Sequence, residues 1–199
     1  MRTSSPAEIA LATRNRGKID EICALLEESP VRVLSLDSFP DAPEVVETEP
    51  TLKGNARKKA EAIFLYTGRP SLADDTGLEV TSLGNRPGVF SARYAGPEEN
   101  SAANRRKLIA ELENYDDRSA RFRTVVAFVD RTGVRYFEGV CSGIIGFEDR
   151  GERGFGYDAL FIPDGHSHTF AELSPESKNE ISHRGMALRK FVSFIRSGD

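Results

Sequence analysis

The chain has little of what several large protein classes require. Its 199 residues contain only two cysteines, Cys23 and Cys141, far apart in sequence. This argues against a disulfide framework and predicts a reduced, cytoplasmic protein in which both thiols are small core residues. No stretch approaches about 18 consecutive apolar residues, so we expect neither a membrane span nor a signal peptide. A net charge of −4 argues against a nucleic-acid polymer or an anionic membrane surface as the main partner.

Two motifs of phosphate-handling enzymes are also absent. A Walker A loop needs a glycine five residues before its Gly-Lys pair and Ser or Thr after it, but Ala12 and Ile19 stand in those places. A haloacid-dehalogenase-type phosphatase needs an Asp-x-Asp motif after a strand, whereas Asp74 and Asp75 are adjacent. Both enzyme classes are therefore set aside.

The length is sufficient for one sizeable core, and nothing in the composition marks a second domain, so residues 1–199 are expected to form one domain. Hydrophobic periodicity and turn signals predict the elements. Strands are predicted over 8–12, 31–36, 121–130 and 134–147, and helices over 18–28, 51–66, 97–114 and from 182 onward.

Residues 70–96 are the part of the chain that ordinary packing explains least. A short buried strand, 71–73, is predicted to run into Asp74 and Asp75 at a turn marked by Gly77. Because neighbouring side chains on a strand point to opposite faces, the two carboxylates are expected to have separate roles. Hard cations such as Mg²⁺ take carboxylate oxygens and share them with substrate phosphates. An Asp-rich turn that caps its own backbone is the alternative.

Residues 13–18, TRNRGK, lie between a predicted strand and a predicted helix. Unpaired N–H groups and the positive end of the helix dipole converge at such a turn, which is typical of an anion site. A basic, solvated helix start has the same pattern.

An acidic loop at 37–50 follows the strand predicted over 31–36, and it carries Glu44, Glu47 and Glu49.

Aromatic and basic residues of the C-terminal half predict a second set of ligand contacts. Glycines in 154–158, GFGYD, would let backbone approach a ligand, and the aromatics beside them would stack on a base or pack a strand entrance. Lys178, His183 and Arg184 lie near predicted helix starts. The His-Arg pair suits a flat, carbonyl-rich edge.

Five motifs occur in order over nearly the whole chain: 12–18 (ATRNRGK), 73–80 (ADDTGLEV), 87–96 (PGVFSARYAG), 154–158 (GFGYD) and 182–185 (SHRG). In order and spacing this set resembles the inosine triphosphate pyrophosphatase family, in its bacterial Ham1-like, dITP/XTP pyrophosphatase branch. The resemblance implies an α/β fold with an elongated mixed β-sheet, flanking helices and two lobes around a central nucleotide cleft. It also implies a homodimer in the cytoplasm.

The implied reaction is Mg²⁺-dependent hydrolysis of ITP, dITP or XTP between the α- and β-phosphates, which cleans the nucleotide pool of deaminated purines; Mn²⁺ is an alternative metal. The resemblance further assigns roles to single residues. It assigns phosphate binding to Thr13, Arg14, Asn15, Arg16, Gly17, Lys18 and Lys59. It assigns metal binding to Glu47 and Asp75, proton acceptance to Asp75 and a further substrate contact to Thr76. It assigns base recognition to Phe155, Gly156, Tyr157, Asp158, Lys178, His183 and Arg184.

The chain departs from the family pattern at 52–54, where the family usually has phenylalanine followed by acidic residues. Glu44 and Glu49 therefore remain alternatives to Glu47 as the metal ligand. Two other functions also stay open. One is a Maf-like pyrophosphatase for pyrimidine or modified nucleotides, against which the Ser-His-Arg turn at 182–184 counts. The other is a non-catalytic nucleotide sensor.

Overall fold

Strands and helices alternate through most of the chain. The computed structural model describes residues 7–197. In that range the strands are β1 (Ala7–Leu11), β2 (Val31–Leu34), β3 (Ser71–Val80), β4 (Arg86–Gly88), β5 (Ser119–Asp130), β6 (Gly133–Ile145) and β7 (Phe161–Pro163). The α-helices are α1 (Arg16–Leu26), α2 (Leu52–Thr67), α3 (Ser101–Glu111), α4 (Pro175–Ile181) and α5 (His183–Ser197).

The seven described strands form one sheet in the order β2-β1-β3-β5-β6-β7, with β4 also paired to β3. β1 lies parallel to both β2 and β3, whereas β4 is antiparallel to β3 and β7 antiparallel to β6. The sheet is therefore mixed, and the α/β class expected from the sequence is confirmed.

Helix ends follow local capping residues. Thr51 caps α2 by accepting a hydrogen bond from the Gly54 amide at 3.0 Å, and Gly68 ends the helix at a φ of 65°. Both ends agree with the sequence prediction. The prediction for α3 begins too early: its cap is Asn100, whose side chain accepts from the Ala103 amide, so the preceding residues stay outside the helix.

The turn predicted at Gly77 is wrong, because β3 runs without interruption from Ser71 to Val80. Gly77 lies within the strand. A Cβ atom added there would lie only 2.6 Å from the carbonyl oxygen of Gly88 in the paired strand β4. The glycine therefore permits close backbone approach inside the sheet and does not mark a turn.

The described chain divides into two compact units. The first unit comprises 7–75, 125–138 and 185–197, and the second comprises 76–124 and 139–184. Each has its own apolar core. Central residues of the first core are Ile9, Leu11, Ile22, Leu72, Phe128 and Phe191, and those of the second are Leu78, Leu108, Phe122, Phe161 and Phe170.

The two cysteines differ in environment. Cys141 is buried, as predicted, but Cys23 is exposed, so the expectation that both are core residues is wrong for Cys23. The buried positions of α1 are Ile22 and Leu26, and a helical residue next to Ile22 is rotated about 100° away from that face. No helix among residues 7–197 has the length and apolar character that a membrane span requires.

Candidate active site

A half-buried lysine joins two carboxylates in the first unit. Lys59 Nζ donates to Glu47 Oε1 at 2.5 Å and to Asp75 Oδ1 at 3.0 Å. Asn55 precedes Lys59 by one turn of α2, so both side chains lie on the same face of the helix. Its Nδ2 donates to Asp75 Oδ2 at 3.3 Å, while its Oδ1 accepts from the Glu49 amide at 2.9 Å. Asn55 thus ties the acidic loop to the strand that carries Asp75.

Alternation along β3 sends the two aspartates to different helices. The Ser71 hydroxyl donates to the Ala60 carbonyl of α2, and Asp75, four residues later on the same face, also contacts α2. Asp74, on the opposite face, lies 3.3 Å from Lys18 Nζ of α1. The two aspartates therefore have different ion-pair partners, and their separate roles stay a prediction.

The charges of this cluster interact strongly. Burial raises the pKa of Asp75 to about 6, since the loss of hydration and the negative charge of Glu47 outweigh the attraction of Lys59 and Lys18. Burial also pushes the pKa of Glu47 upward, but Lys59 and Lys18 hold it below its ordinary value. For Lys59, burial lowers the pKa, and the carboxylates of Asp75, Glu47 and Asp74 more than reverse this.

The acidic loop brings Glu47, and not Glu44, to the cluster. Glu44 is exposed, while Glu47 reaches the ammonium of Lys59. Glu49 lies against Gly54, where an added Cβ would come within 2.7 Å of the Glu49 Cβ. Gly54 is one of the residues that depart from the family pattern, and its lack of a side chain lets the loop approach α2.

The donor set fits Mg²⁺. Among residues 7–197 no group of three or more His, Cys, Asp or Glu side chains is arranged to hold a metal ion. Mg²⁺ commonly uses one or two protein carboxylates together with water and substrate phosphates. The carboxylates of Glu47 and Asp75 meet at a single cation, Lys59, so they are placed close enough to share one charged partner.

Helix α1 begins at Arg16, two residues before its predicted start at Lys18, so residues 16–18 of the predicted turn belong to the helix. Asn15 caps the helix by accepting from the Lys18 amide at 3.1 Å, and Thr13 Oγ1 accepts from the Asn15 amide at 3.2 Å. Arg14 donates to the Ala42 carbonyl at 3.0 Å. Arg16 is exposed and pairs with an equally exposed aspartate. Lys18 is thus the side chain of this turn that reaches the buried carboxylates.

The second unit contains a buried ion pair beside an aromatic ring. Lys178 Nζ donates to Asp158 Oδ2 at 2.6 Å, and the same oxygen accepts from the Phe155 amide at 2.8 Å. The ring of Phe155 also lies near two cations, with its centroid 5.3 Å from Lys178 Nζ and 5.6 Å from Arg184 Cζ. The structure therefore brings together four of the residues expected to read the base.

Other residues of the 154–158 segment have structural contacts. Tyr157 is buried in the core, and its hydroxyl donates to the Ser91 carbonyl at 2.9 Å. Gly154 has a φ of +72°, and a Cβ there would lie 2.2 Å from the Asp158 carboxylate. Gly156 accepts from Arg105 through its carbonyl oxygen. The close approach at Gly154 is thus to the carboxylate of Asp158. The sequence interpretation expected this glycine to let the backbone approach a ligand.

His183 and Arg184 begin α5 and are 3 % and 2 % exposed. His183 Nδ1 lies 2.6 Å from Thr124 Oγ1, and Arg184 Nη2 donates to Thr76 Oγ1 at 3.2 Å. The two threonine hydroxyls are 2.5 Å apart. Thr124 therefore links Thr76 to His183, and Arg184 joins this group through its own contact with Thr76. Thr76, His183 and Arg184 are all expected site residues.

Two residues of these clusters were missed by sequence reasoning, Asn55 and Thr124. Both are polar side chains with 0 % exposure. Asn55 lies among the apolar positions of α2, and a buried amide there would have been a usable signal, because such groups need partners. Thr124 carried no such signal, since threonine is an ordinary strand residue.

Comparisons with known proteins identify the family of the chain. Residues 9–194 match the model of the Ham1 family. A dITP/XTP pyrophosphatase of Geobacter sulfurreducens is 48 % identical, with 90 % of this chain and 92 % of the relative covered, and one of Porphyromonas gingivalis is 46 % identical, covering 94 % and 97 %.

Solved structures give the same result. The Ham1 protein of Coxiella burnetii has a TM-score of 0.88 and 39 % identity, covering 96 % of this chain and 99 % of that one. The Ham1 protein of Staphylococcus aureus has a TM-score of 0.86 and 36 % identity, covering 96 % and 100 %. The family model and these relatives span nearly all of the described residues. The chain therefore belongs to the Ham1 family.

Proposed function

We propose that this chain hydrolyses deaminated purine nucleoside triphosphates, dITP, ITP and XTP, to the monophosphate and pyrophosphate. Relatives at 46–48 % identity that carry the name dITP/XTP pyrophosphatase support the reaction. The observation in the structure that carries it is the convergence of Glu47 and Asp75 on Lys59. Membership of the Ham1 family also favours a purine substrate over the pyrimidine or modified nucleotides of a Maf-like enzyme.

The cluster around Lys59 and the start of α1 would handle the phosphates. Lys18 and Lys59 supply positive charge beside the carboxylates, and the N-terminus of α1 supplies backbone N–H groups for an anion. Glu47 and Asp75 would hold Mg²⁺, which when bound would neutralise phosphate charge and help to orient water. Phosphate chemistry needs mainly such positioning and electrostatic stabilisation from the protein.

Asp75 would accept the proton of the attacking water. The residue is 4 % exposed, and its pKa of about 6 lies near the operating pH, as suits a general base. Asn55 donates to one carboxylate oxygen and Lys59 to the other, which fixes the orientation of the group.

The His183-Arg184 pair would read the base. Hypoxanthine and xanthine carry an acceptor, the 6-oxo group, where adenine has an amino donor. Donors from His183 and Arg184 would be satisfied by the oxygen and left unpaired by adenine. A buried donor without a partner is costly, so such a site discriminates between the two edges.

The assembly and location belong to the same proposal. We propose a homodimer, which the family resemblance implies. We also propose a cytoplasmic location, since the free nucleotide pool is there.

The test is pyrophosphate release from dITP, XTP, dATP, dGTP, UTP and dTTP, each with Mg²⁺, with Mn²⁺ and with EDTA. We expect metal-dependent turnover of dITP and XTP well above the others. Turnover of UTP or dTTP in preference to dITP would support a Maf-like activity instead. Binding of dITP without turnover of any nucleotide would support a sensor and contradict the proposal.

A further inference from the structure

An arginine of α3 holds the 154–158 segment from outside. Arg105 Nη1 donates to the carbonyl oxygen of Gly156 at 2.8 Å. Arg105 Nε donates to the carboxylate of Asp149 and lies 2.9 Å from both of its oxygens. The Arg105 side chain is only 18 % exposed, so water competes little for these contacts. Since a guanidinium has donors and no acceptor, the direction of both hydrogen bonds is fixed.

The helix that carries Arg105 is itself anchored next to it. Asn104 is buried, and its Oδ1 accepts from the Ala95 amide at 2.6 Å. Its Nδ2 donates to the Ala92 carbonyl at 2.7 Å. The first half of α3 is therefore fastened to the 91–95 segment, and Arg105 reaches Gly156 from a fixed position.

Phe155 lies between two glycines with left-handed backbone. The φ angles are +72° at Gly154 and +62° at Gly156. A Cβ atom at Gly156 would meet no atom within 4 Å, so its conformation and not crowding requires a glycine there. Because glycines do not restrict the backbone by themselves, contacts must hold Phe155 in place. The Asp158 carboxylate accepts from the Phe155 amide at 2.8 Å on one side, and Arg105 holds the next carbonyl on the other.

The ring of Phe155 is half-buried beside two buried cations. Its centroid lies 5.3 Å from Lys178 Nζ and 5.6 Å from Arg184 Cζ. An aromatic ring in such a place offers a face on which a flat heterocycle can stack, a contact worth about 1–3 kcal/mol for a nucleic-acid base. The position of the ring would therefore determine how well a base stacks there.

We propose that Arg105 is a positioning residue that holds Phe155 for stacking on the base, by fixing the Gly156 carbonyl. This role rests on the proposed function, since a purine is the ring that would stack. Arg105 and Asp149 lie outside the five motifs, so it extends the determinants of nucleotide affinity to α3. Stacking on the base is the same before and during the chemical step, so the effect falls on KM and not on kcat.

The first test uses the free full-length protein and no substrate. The Phe155 amide donates to Asp158, and the Asp158 amide donates to the Phe155 carbonyl at 3.2 Å, so both report on this segment. Their hydrogen exchange is measured by NMR on ¹⁵N-labelled protein. We expect Arg105→Met, which keeps most of the apolar stem, to accelerate both about tenfold, as for the loss of one hydrogen bond from a charged donor. Arg106→Met, at the exposed neighbour, should leave both rates unchanged.

Unchanged exchange in folded Arg105→Met would overturn the proposal, as would equal acceleration in Arg106→Met. Asp149→Ala gives the same test at an exposed position if Arg105→Met does not fold. It leaves the arginine in place but removes the carboxylate that orients it. We expect it to accelerate the same two amides by a smaller factor, about threefold, and no acceleration would count against the role of Arg105.

The second test is a double-mutant cycle on nucleotide binding. The probe is dIMP, which carries the same base as dITP and is not hydrolysed, and its dissociation constant is measured by calorimetry. We expect Arg105→Met to raise this constant about three- to tenfold in the wild-type background and to change it little in Phe155→Ala, where the positioned ring is absent. The KM for dITP should rise by the same factor, with kcat within about twofold. Equal effects in both backgrounds would indicate a general structural role and overturn the proposal.

The two tests separate this inference from the proposed function. Exchange and dIMP binding require no turnover, so an inactive protein with the expected exchange rates and cycle would contradict the proposed function alone. An active dITP pyrophosphatase in which Arg105→Met alters neither the exchange rates nor KM would contradict the role of Arg105 alone.

Discussion

At the scale of single residues, Asp75 has the most demanding environment of the first unit. It is buried, and it shares Lys59 with a second carboxylate. We expect Asp75→Asn to lower kcat by about 10²–10⁴-fold, because an amide accepts no proton. Nucleotide binding should survive largely intact, since the cationic groups remain. Steady-state kinetics and equilibrium binding of dITP check this, with Asp116→Asn, an exposed aspartate, as the control. Retained activity would refute the assignment.

Glu47 has a matched comparison within its own loop. We expect Glu47→Gln to raise the Mg²⁺ concentration for half-maximal activity by about tenfold or more, because one of the two proposed carboxylate ligands would be lost. Glu44→Gln, in an exposed position, should leave it unchanged. Magnesium titrations of both variants test whether Glu47 or Glu44 is the metal ligand. Equal effects would mean that the contact between Glu47 and Lys59 does not identify the ligand.

The pKa of Asp75 leads to a pH dependence. If Asp75 holds Mg²⁺ as proposed, protons and Mg²⁺ would compete for its carboxylate, whose pKa burial raises to about 6. At pH 5 the group is mostly protonated, so the apparent Mg²⁺ affinity should be about tenfold lower than at pH 7. It should level off above pH 7. Calorimetric Mg²⁺ titrations at pH 5, 6, 7 and 8 measure this, and a flat profile would contradict it.

At the scale of elements, α2 is the helix that presents Asn55 and Lys59. The N-terminus of this helix is capped by one hydroxyl group, that of Thr51. We expect Thr51→Ala to lower the free energy of unfolding by about 1 kcal/mol, while Thr51→Ser retains the wild-type value because serine also caps. Urea unfolding of the three proteins measures the difference. Equal losses in both variants would show that the hydroxyl is not the cause.

What the sequence could predict depends on how local the physical cause is. Both ends of α2 were predicted, since Thr51 and Gly68 act on their own helix. The extent of β3 was not predicted. Gly77 is required there because a side chain would collide with the carbonyl oxygen of Gly88 in another strand, and the sequence does not show that contact. The site divides in the same way. The family motifs predicted most residues of the site, but Thr124 acquires its partners only through folding.

At the scale of the whole molecule, the family resemblance implies an assembly of two chains. One chain has a mass of 21.9 kDa. We expect light scattering coupled to size-exclusion chromatography to give twice that mass over a range of loading concentrations. A mass equal to one chain at every concentration would refute the homodimer. Dilution that splits the peak would instead measure its dissociation constant.

The alternation of side chains along β3 determines which mutations of the gene preserve the contacts of Asp74 and Asp75. Asp74 contacts α1 and Asp75 contacts α2 because they occupy opposite faces of one strand. Deleting or inserting one codon before Asp74 within β3 would exchange those faces and turn each carboxylate away from its lysine. Substitutions in Ser71–Ala73 leave the phase of the strand intact, whereas a single-codon indel shifts it. Length variation among relatives should therefore be confined to the loops and be absent from this strand.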